Sequence, residues 1–216
     1  MKTVHLSPEQ VHLEREKIYQ YIRIRRRASK IKMVNNYINE LYRQYHGIFE
    51  PRYRYEFFEI LQCNQEWHSI QISPDPDTTL TGLGIFNLLS KSNYACLFAI
   101  SIGEYIEQTL TQMLSDNFLQ AYILAGMTSA MVEGTLEHLR NVIKAEAKTL
   151  NCQMLYRYSP GYAHWNIKEQ IIICDLLQSD SIGIQINDSC FLSPQYSITG
   201  AIGLKEEYGK NDENFL

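Results

Sequence analysis

The chain has 216 residues, of which 45% are hydrophobic and 20% are charged, and its formal net charge is −4. This length allows one sizeable core, and the composition is ordinary for a globular protein. The weakly acidic balance argues against a general nucleic-acid binder, because such proteins usually carry a strongly basic face. Residues 94–103 form the longest apolar stretch, far below the ~20 residues of a membrane span. Residues 1–10 contain no apolar signal-peptide core, so we expect a cytoplasmic protein without a membrane segment.

The cysteines and histidines do not form a metal-binding pattern. The six histidines are scattered, and no two of the five cysteines form a Cys-x-x-Cys pair. Several cysteines lie in apolar runs, which is typical of buried, reduced thiols in a cytoplasmic protein. The cysteines are Cys63, Cys96, Cys152, Cys174 and Cys190. We therefore predict no metal site.

The N-terminal region, residues 1–50, is predicted to be helical. Ser7 and Pro8 are typical of the start of a helix, and the apolar periodicity continues with interruptions to about Tyr45. Residues 23–32 contain six Arg and Lys side chains. They are either a docking patch for phosphate or a protein partner, or a solvated helix face, and nearby acidic residues favour the solvated face.

The next part of the chain has the pattern of short strands. Residues 53–62 and 67–72 are predicted to be strands joined by a hairpin loop at residues 63–66. The sequence Ser-Pro-Asp-Pro-Asp at residues 73–77 is a break. It either separates an N-terminal subdomain or forms a surface loop in a single domain.

The middle of the chain alternates helix and strand. Residues 83–89 are predicted to be a short helix, residues 95–101 a central strand, and residues 104–114 a helix. Residues 82–84 read Gly-Leu-Gly, but no strand is predicted directly before them and the third glycine of a dinucleotide fingerprint is missing. The usual nucleotide-fold methyltransferase is therefore not supported.

A long helix is predicted from residue 118 to about residue 150, and its middle has unusually small side chains. Gly126 and Gly134 lie inside it, although glycine costs ~1 kcal/mol in a helix interior compared with alanine. Either a packed neighbour or a ligand needs the space.

The last third of the chain is organised around residues 157–170. A predicted strand, residues 152–158, runs into Ser159-Pro160-Gly161, which breaks regular structure. Asn166 and Glu169 resemble a capping box that starts the next helix. Residues 182–186 and 198–204 are predicted to be strands. The whole order predicts a single α+β domain with a largely antiparallel twisted sheet covered by helices.

An ordered set of motifs resembles the activation-domain family of vitamin B12-dependent methionine synthase. The motif Arg157-x-x-Pro160-Gly161-Tyr162 is similar to the S-adenosylmethionine-binding motif of that family. The extended form, with Ser159 and Trp165, resembles its small stand-alone members. The match continues through residues 182–184 and 197–204 and reaches back through residues 99–103 and 129–133. It extends weakly to residues 50–52, so it covers roughly residues 50–204. The resemblance implies an activation-domain-like core at residues 51–204, followed by a polar tail at residues 205–216.

The resemblance also implies a ligand and the residues that hold it. Arg157 can bind the carboxylate of S-adenosylmethionine in a two-bonded fork. Main-chain groups of residues 159–162, including Ser159, Pro160 and Gly161, are expected to be free to bond the adenine or the amino acid part. Tyr162 can place its ring near the positively charged sulfonium, and the family's ligand-contacting glutamate aligns with Glu133. No catalytic residue is predicted, because the implied role of the protein is to position the bound ligand.

Each of these residues also has a purely structural interpretation. Arg157 can pair with a structural acid, Pro160 and Gly161 can form an ordinary turn, and Tyr162 can be a core aromatic. Glu133 lies among apolar and small residues, so it needs a partner if it is buried.

The resemblance implies an accessory role in the methyl transfer. Cob(II)alamin on a separate methionine synthase, one that lacks its own activation domain, gains an electron from a flavodoxin-like or ferredoxin-like donor. S-adenosylmethionine then methylates the reduced cobalt. The chain lacks the Asp-x-His-x-x-Gly pattern of cobalamin-carrying domains, so cobalamin enters only through the partner protein.

Two differences from the motif of the stand-alone relatives leave other functions possible. Stand-alone relatives usually read Gly-Asp-Trp where this chain has Ala163-His164-Trp165. This difference supports an alternative, a non-enzymatic interaction module of the same fold that has lost ligand binding. A third hypothesis treats the basic cluster at residues 23–32 as a nucleic-acid contact, which requires steeply salt-dependent binding.

Overall fold

A five-stranded antiparallel sheet forms the centre of the protein. The structure, a computed structural model, describes residues 1–24, 28–75, 78–162 and 164–207. In spatial order the strands are β1 (Lys2–His5), β2 (Arg52–Glu59), β6 (Tyr94–Ser101), β10 (Ser197–Glu206) and β7 (Cys152–Tyr158). Every neighbouring pair is antiparallel. The predicted α+β class with a largely antiparallel sheet is confirmed.

The middle strand of this sheet is β6, as its apolar sequence predicts. Strands β2 and β10 flank it, and residues from Ala95 to Ser101 are all buried. A continuous apolar run is the pattern expected when both faces of a strand are covered. The prediction of a central strand at residues 95–101 is confirmed.

Helices cover both faces of the sheet. On one face α5 (Phe118–Thr149) packs against aromatic and aliphatic side chains of the strands, among them Tyr53 and Phe98. On the other face α3 (Leu83–Leu89) and α6 (Glu169–Leu177) pack against Leu97 and Ala201. Residues on alternate positions of each strand therefore enter two different hydrophobic clusters.

A second helical layer lies on the outer side of α5. It contains α1 (Arg15–Tyr21), α2 (Ala28–Tyr45) and α4 (Tyr105–Asp116). A Cβ atom on Gly126 would lie 2.5 Å from Cγ2 of Ile22. The small side chains of α5 thus make room for a packed neighbour, and of the two explanations offered for Gly126 and Gly134 this one is confirmed.

The strands after β2 form a separate three-stranded sheet. It consists of β3 (Gln62–Asn64), β4 (Ser69–Gln71) and β5 (Thr79–Thr81) in that order. The prediction that residues 53–62 form one strand of this hairpin is wrong. Strand β2 ends at Glu59 and pairs with β1 and β6, because its buried Tyr53 and Tyr55 pack against α5.

The N-terminal region is less helical than predicted. Residues Lys2–His5 form the edge strand β1, and the predicted helix start is a single 3₁₀ turn, Pro8–Gln10. Of the basic cluster, Arg25, Arg26 and Arg27 lie outside the described residues. The division into residues 1–50, 51–204 and 205–216 stays a prediction, and residues 208–216 of the tail lie outside the described part.

Two further elements differ from the sequence patterns. Residues 182–186 are not one strand, since a 3₁₀ turn (Ser179–Ile182) precedes the short strand β8 (Gln185–Ile186), which pairs with β9 (Leu192–Ser193). Helix α6 begins at Glu169, and the side-chain oxygen of Asn166 accepts from the amide of Lys168 rather than from the amide of Glu169, which bonds to the main-chain carbonyl of Asn166 instead. The predicted capping box is therefore wrong.

In the described part of the chain, no helix combines the length and the apolar character needed to cross a bilayer.

Candidate functional site

Residues 159–162 form a tight corner where β7 ends. Gly161 has φ +89°, a conformation that glycine adopts easily. Its amide donates to the carbonyl oxygen of Trp165 at 2.8 Å, and the amide of Tyr162 donates to the carbonyl oxygen of Ser159 at 3.3 Å. The expectation that these main-chain groups are free is therefore wrong for both amides, because the turn itself uses them.

An open groove of about 1300 Å³ lies beside this corner, and we call it the corner groove. Strand β7 ends at Tyr158, opposite Ala201, whereas β10 continues beyond that point. Within the described residues, no strand therefore pairs with residues 197–199 on that side. The lining includes residues of β10, the corner, α5 and the β8–β9 hairpin: Glu133, Arg157, Ser159, Pro160, Tyr162, Gln170, Phe191, Ser197 and Thr199. Unpaired main-chain groups of an edge strand are available to a ligand.

A pair of opposite charges lies on the α5 side of the groove. A terminal nitrogen of Arg157 is 3.8 Å from Oε1 of Glu133, and both side chains are about one third exposed. The hydroxyl of Tyr21 donates to the same carboxylate oxygen at 3.3 Å. A partly exposed ion pair at this nitrogen–oxygen distance contributes little net stability, so both charged groups can exchange their contact for a ligand.

The charged groups of the site shift the pKa of Tyr21. Partial burial raises the pKa of its phenol, and the negative charge of Glu133 raises the pKa further, against a smaller lowering by Arg157. The hydroxyl is consequently a stable hydrogen-bond donor at neutral pH, and it holds Glu133 toward the groove.

Exposed aromatic rings stand on the rim of the groove. Tyr156, Tyr162 and Phe191 are 82%, 73% and 61% exposed. The interpretation of Tyr162 as a core aromatic is wrong, since its ring lies at the surface beside the corner. Trp165, in contrast, is buried and supports the corner from behind.

A hydrogen-bonded turn carries Phe191, which also lines the groove. The side-chain oxygen of Asn187 accepts bonds from the amides of Ser189 and Phe191, each at 3.0 Å. Gln170 fixes the same turn from α6, because its amide group donates to the carbonyl oxygen of Cys190 at 2.6 Å. The turn is thus held in place on two sides.

Two serine hydroxyls at the groove have no hydrogen-bond partner among the residues that the structure describes. They belong to Ser159 at the corner and to Ser197 at the start of β10, and both oxygens are buried. Buried hydroxyls are usually satisfied, so both are available for new bonds after rotation of the side chain.

The structure brings most of the predicted site residues together. Arg157, Ser159, Pro160, Tyr162 and Glu133 all line the groove. Gly161 shapes the turn, and a Cβ atom there would lie 3.1 Å from Cδ1 of Ile167. Ala163 lies outside the described residues. The ligand-binding roles of these residues stay predictions.

Sequence reasoning missed Tyr21 and Phe191. Tyr21 lies 112 positions before its partner Glu133, and no local pattern marks such a pair. Phe191 follows a cysteine in a polar loop, and only the turn-forming Asn187 and Ser189 hinted at an ordered turn there.

The fold and site define a class of protein: an α+β domain with an open groove where the edge strand of its antiparallel sheet ends. The chain is similar to a solved structure described as the MetH reactivation domain bound to AdoHcy, with a TM-score of 0.72 and 13% sequence identity. The similarity covers 96% of this chain and 79% of that chain. The resemblance to the methionine synthase activation domain is therefore confirmed at the level of the fold.

No protein-family model matches the sequence, and no curated protein matches it either.

Proposed function

We propose that this protein binds S-adenosylmethionine in the corner groove and presents its methyl group to a cobalamin-dependent partner. The observation that carries the proposal is the pairing of Arg157 with Glu133 on the groove wall. The solved reactivation domain of the same fold is described as bound to AdoHcy, which is the demethylated form of that ligand.

The charged pair fits the amino acid end of the ligand. That end is a zwitterion, in which a carboxylate and an ammonium are attached to the same carbon atom. Arg157 donates to the carboxylate through two N–H groups, and Glu133 accepts from the ammonium. The ligand thus replaces the 3.8 Å contact of the two side chains with two charge-assisted contacts, and Tyr21 holds Glu133 during the exchange.

The adenosine end fits the neutral side of the groove. Ser159 and Ser197 offer hydroxyls without partners, and the unpaired edge of β10 offers main-chain groups. These groups replace the corner amides as the source of neutral hydrogen bonds, since the turn already uses the amides of Gly161 and Tyr162.

The open shape of the groove suits a transfer between two proteins. When bound, S-adenosylmethionine supplies a methyl group whose bond to sulfur breaks as it bonds to reduced cobalt, leaving S-adenosylhomocysteine. The exposed ring of Tyr162 attracts the sulfonium through its aromatic face. The groove leaves the methyl group accessible to a flat, bulky corrin that belongs to the partner, and in-line geometry is what the transfer needs.

The partner in this proposal is a cobalamin-dependent methionine synthase that lacks its own activation domain. A flavodoxin-like or ferredoxin-like protein supplies the one electron that reduces the cobalt. The proposed role is cytoplasmic, and the protein acts as an accessory component of the synthase. The likeness of the fold to a reactivation domain supports this choice.

Calorimetry with S-adenosylhomocysteine tests the proposal. The wild-type protein is expected to bind, and Arg157→Ala is expected to lose most of the affinity. Arg140→Ala is the matched control, because Arg140 lies on the same helix as Glu133 but pairs with Glu137 outside the groove. The absence of binding heat in the wild-type protein, or equal binding by Arg157→Ala, contradicts the proposal.

One observation favours a second candidate, an interaction module that has lost the ligand. The amides of Gly161 and Tyr162 are bonded within the turn, so the corner offers fewer main-chain donors than its motif predicts. This candidate predicts binding to the synthase, measured by sedimentation or surface plasmon resonance, together with no binding of S-adenosylhomocysteine.

A further inference from the structure

Among the described residues in the corner and directly after it, two have positive φ. Gly161 has φ +89° and His164 has φ +62°. For histidine this conformation costs free energy, and it persists only where the surroundings impose it. Contacts with other parts of the described chain therefore hold His164 in this conformation.

Trp165 ties the corner to the small three-stranded sheet. It is buried, and it forms an isolated β-bridge with Gly82 at the end of β5. A Cβ atom on Gly82 would lie 2.8 Å from the carbonyl oxygen of His164, and Gly82 itself has φ +135°. Only glycine allows the two backbones to approach this closely.

Glu169 completes the connection. Its carboxylate is buried and accepts from the amide of Thr81 at 2.9 Å and from the hydroxyl of Thr81 at 2.6 Å. It also accepts from the indole N–H of Trp165 at 3.4 Å. One carboxylate thus joins β5, the first turn of α6 and Trp165, whose carbonyl oxygen accepts from the amide of Gly161 in the corner.

We propose that Glu169 and Thr81 form a clamp that sets the corner in its ligand-binding conformation. This inference rests on the proposed function. Neither residue lines the groove, so both are positioning residues that act through Trp165. The small sheet of β3, β4 and β5 then contributes to ligand affinity without touching the ligand.

The use of a buried carboxylate supports this role. Hydrogen bonds to a charged acceptor are shorter and stronger than neutral ones. A carboxylate taken out of water needs several donors, and here three N–H and O–H groups from two separate segments supply them. Loss of one donor therefore disturbs the position of the others.

Two variants of Thr81 form a matched pair for the test. Thr81→Val keeps the size of the side chain and removes the hydroxyl donor, whereas Thr81→Ser keeps the hydroxyl. We expect Thr81→Val to bind S-adenosylhomocysteine about fivefold to tenfold more weakly, the effect of one lost hydrogen bond, and Thr81→Ser to bind nearly as the wild type does. Equal affinities of folded Thr81→Val and wild-type protein overturn the clamp.

A second measurement uses the native protein and does not depend on how a variant folds. Coupling between two sites is reciprocal, so S-adenosylhomocysteine is expected to slow hydrogen exchange at the amide of Thr81 as well as at the amide of Gly161. Protection of Gly161 with no change at Thr81 overturns the clamp while the proposed function stands. If the wild-type protein does not bind S-adenosylhomocysteine at all, the proposed function fails and the clamp fails with it.

Discussion

Gly134 in α5 lies directly against the backbone of His12: a Cβ atom at position 134 would be 2.7 Å from the carbonyl oxygen of His12 and equally close to Cγ1 of Val11. Moving this backbone away costs free energy, because His12 lies between the 3₁₀ turn at Pro8–Gln10 and helix α1. Ile18 of α1 is buried against α5. We therefore expect Gly134→Ala to destabilise the protein by about 1–3 kcal/mol through overpacking, despite the ~1 kcal/mol that alanine gains in a helix. The urea midpoint of unfolding measures the change.

Gly47→Ala is the control for this prediction. A Cβ atom at position 47 would have no heavy atom within 4 Å, so the same substitution is expected to leave the urea midpoint nearly unchanged. A Gly134→Ala protein as stable as Gly47→Ala would show that the segment containing His12 can move away from α5 without cost.

The elements that sequence predicted well are those with a strong local pattern. The apolar stripe of α4, with Ile106 and Leu110, and the apolar run of β6 are visible in short windows. Strand β1 has only four residues, exposed or half-buried, and it exists because Lys2–His5 pairs with β2, more than 45 positions away. Such distant pairing leaves no local signal.

The site was predictable only where a motif marked it. Arg157 and Glu133 were predicted from the ordered motifs that resemble the activation-domain family. In the structure both residues line the corner groove. The capping-box prediction failed at Glu169 because its carboxylate bonds to Thr81, 88 positions earlier. A capping box is defined by two residues three positions apart, so it contains no information about a hydrogen bond to a residue in a different sheet.

The reactivity of the cysteines provides a test of the fold. Cys63 is exposed, whereas Cys96, Cys152, Cys174 and Cys190 are buried and all five are free thiols. Burial raises the pKa of Cys96 well above its usual value and, more weakly, raises the pKa of Cys63. Because the thiolate is the reactive form, we expect one fast thiol per chain, with a rate that increases as the pH rises above neutrality.

Labelling with a disulfide reagent in native buffer counts the fast-reacting thiols per chain. Cys63→Ser should remove the fast phase, and urea should expose all five thiols. A second fast thiol in the native protein would show that one of the four buried positions opens to solvent.

Arg157→Lys tests the geometry of the charged pair rather than its charge. Lysine keeps the positive charge but cannot form the two-bonded fork with a carboxylate. We expect affinity for S-adenosylhomocysteine to fall about tenfold, which corresponds to roughly 1.4 kcal/mol. Calorimetry measures the loss, Arg140→Lys is the control, and equal affinity of the Arg157→Lys and wild-type proteins would mean that no fork binds the ligand.

Titration of Tyr21 tests the arrangement of charges at the groove without any ligand. The negative charge of Glu133 disfavours the phenolate and raises the pKa of Tyr21, whereas Arg157 favours the phenolate and lowers it. Glu133→Gln is therefore expected to lower the pKa of Tyr21, and Arg157→Ala is expected to raise it. Tyrosine ring carbon chemical shifts measured by NMR over pH 8–12 follow each change. If both variants leave the pKa of Tyr21 unchanged, then α1 does not hold its phenol against Glu133, and the groove lacks the wall that we assign to it.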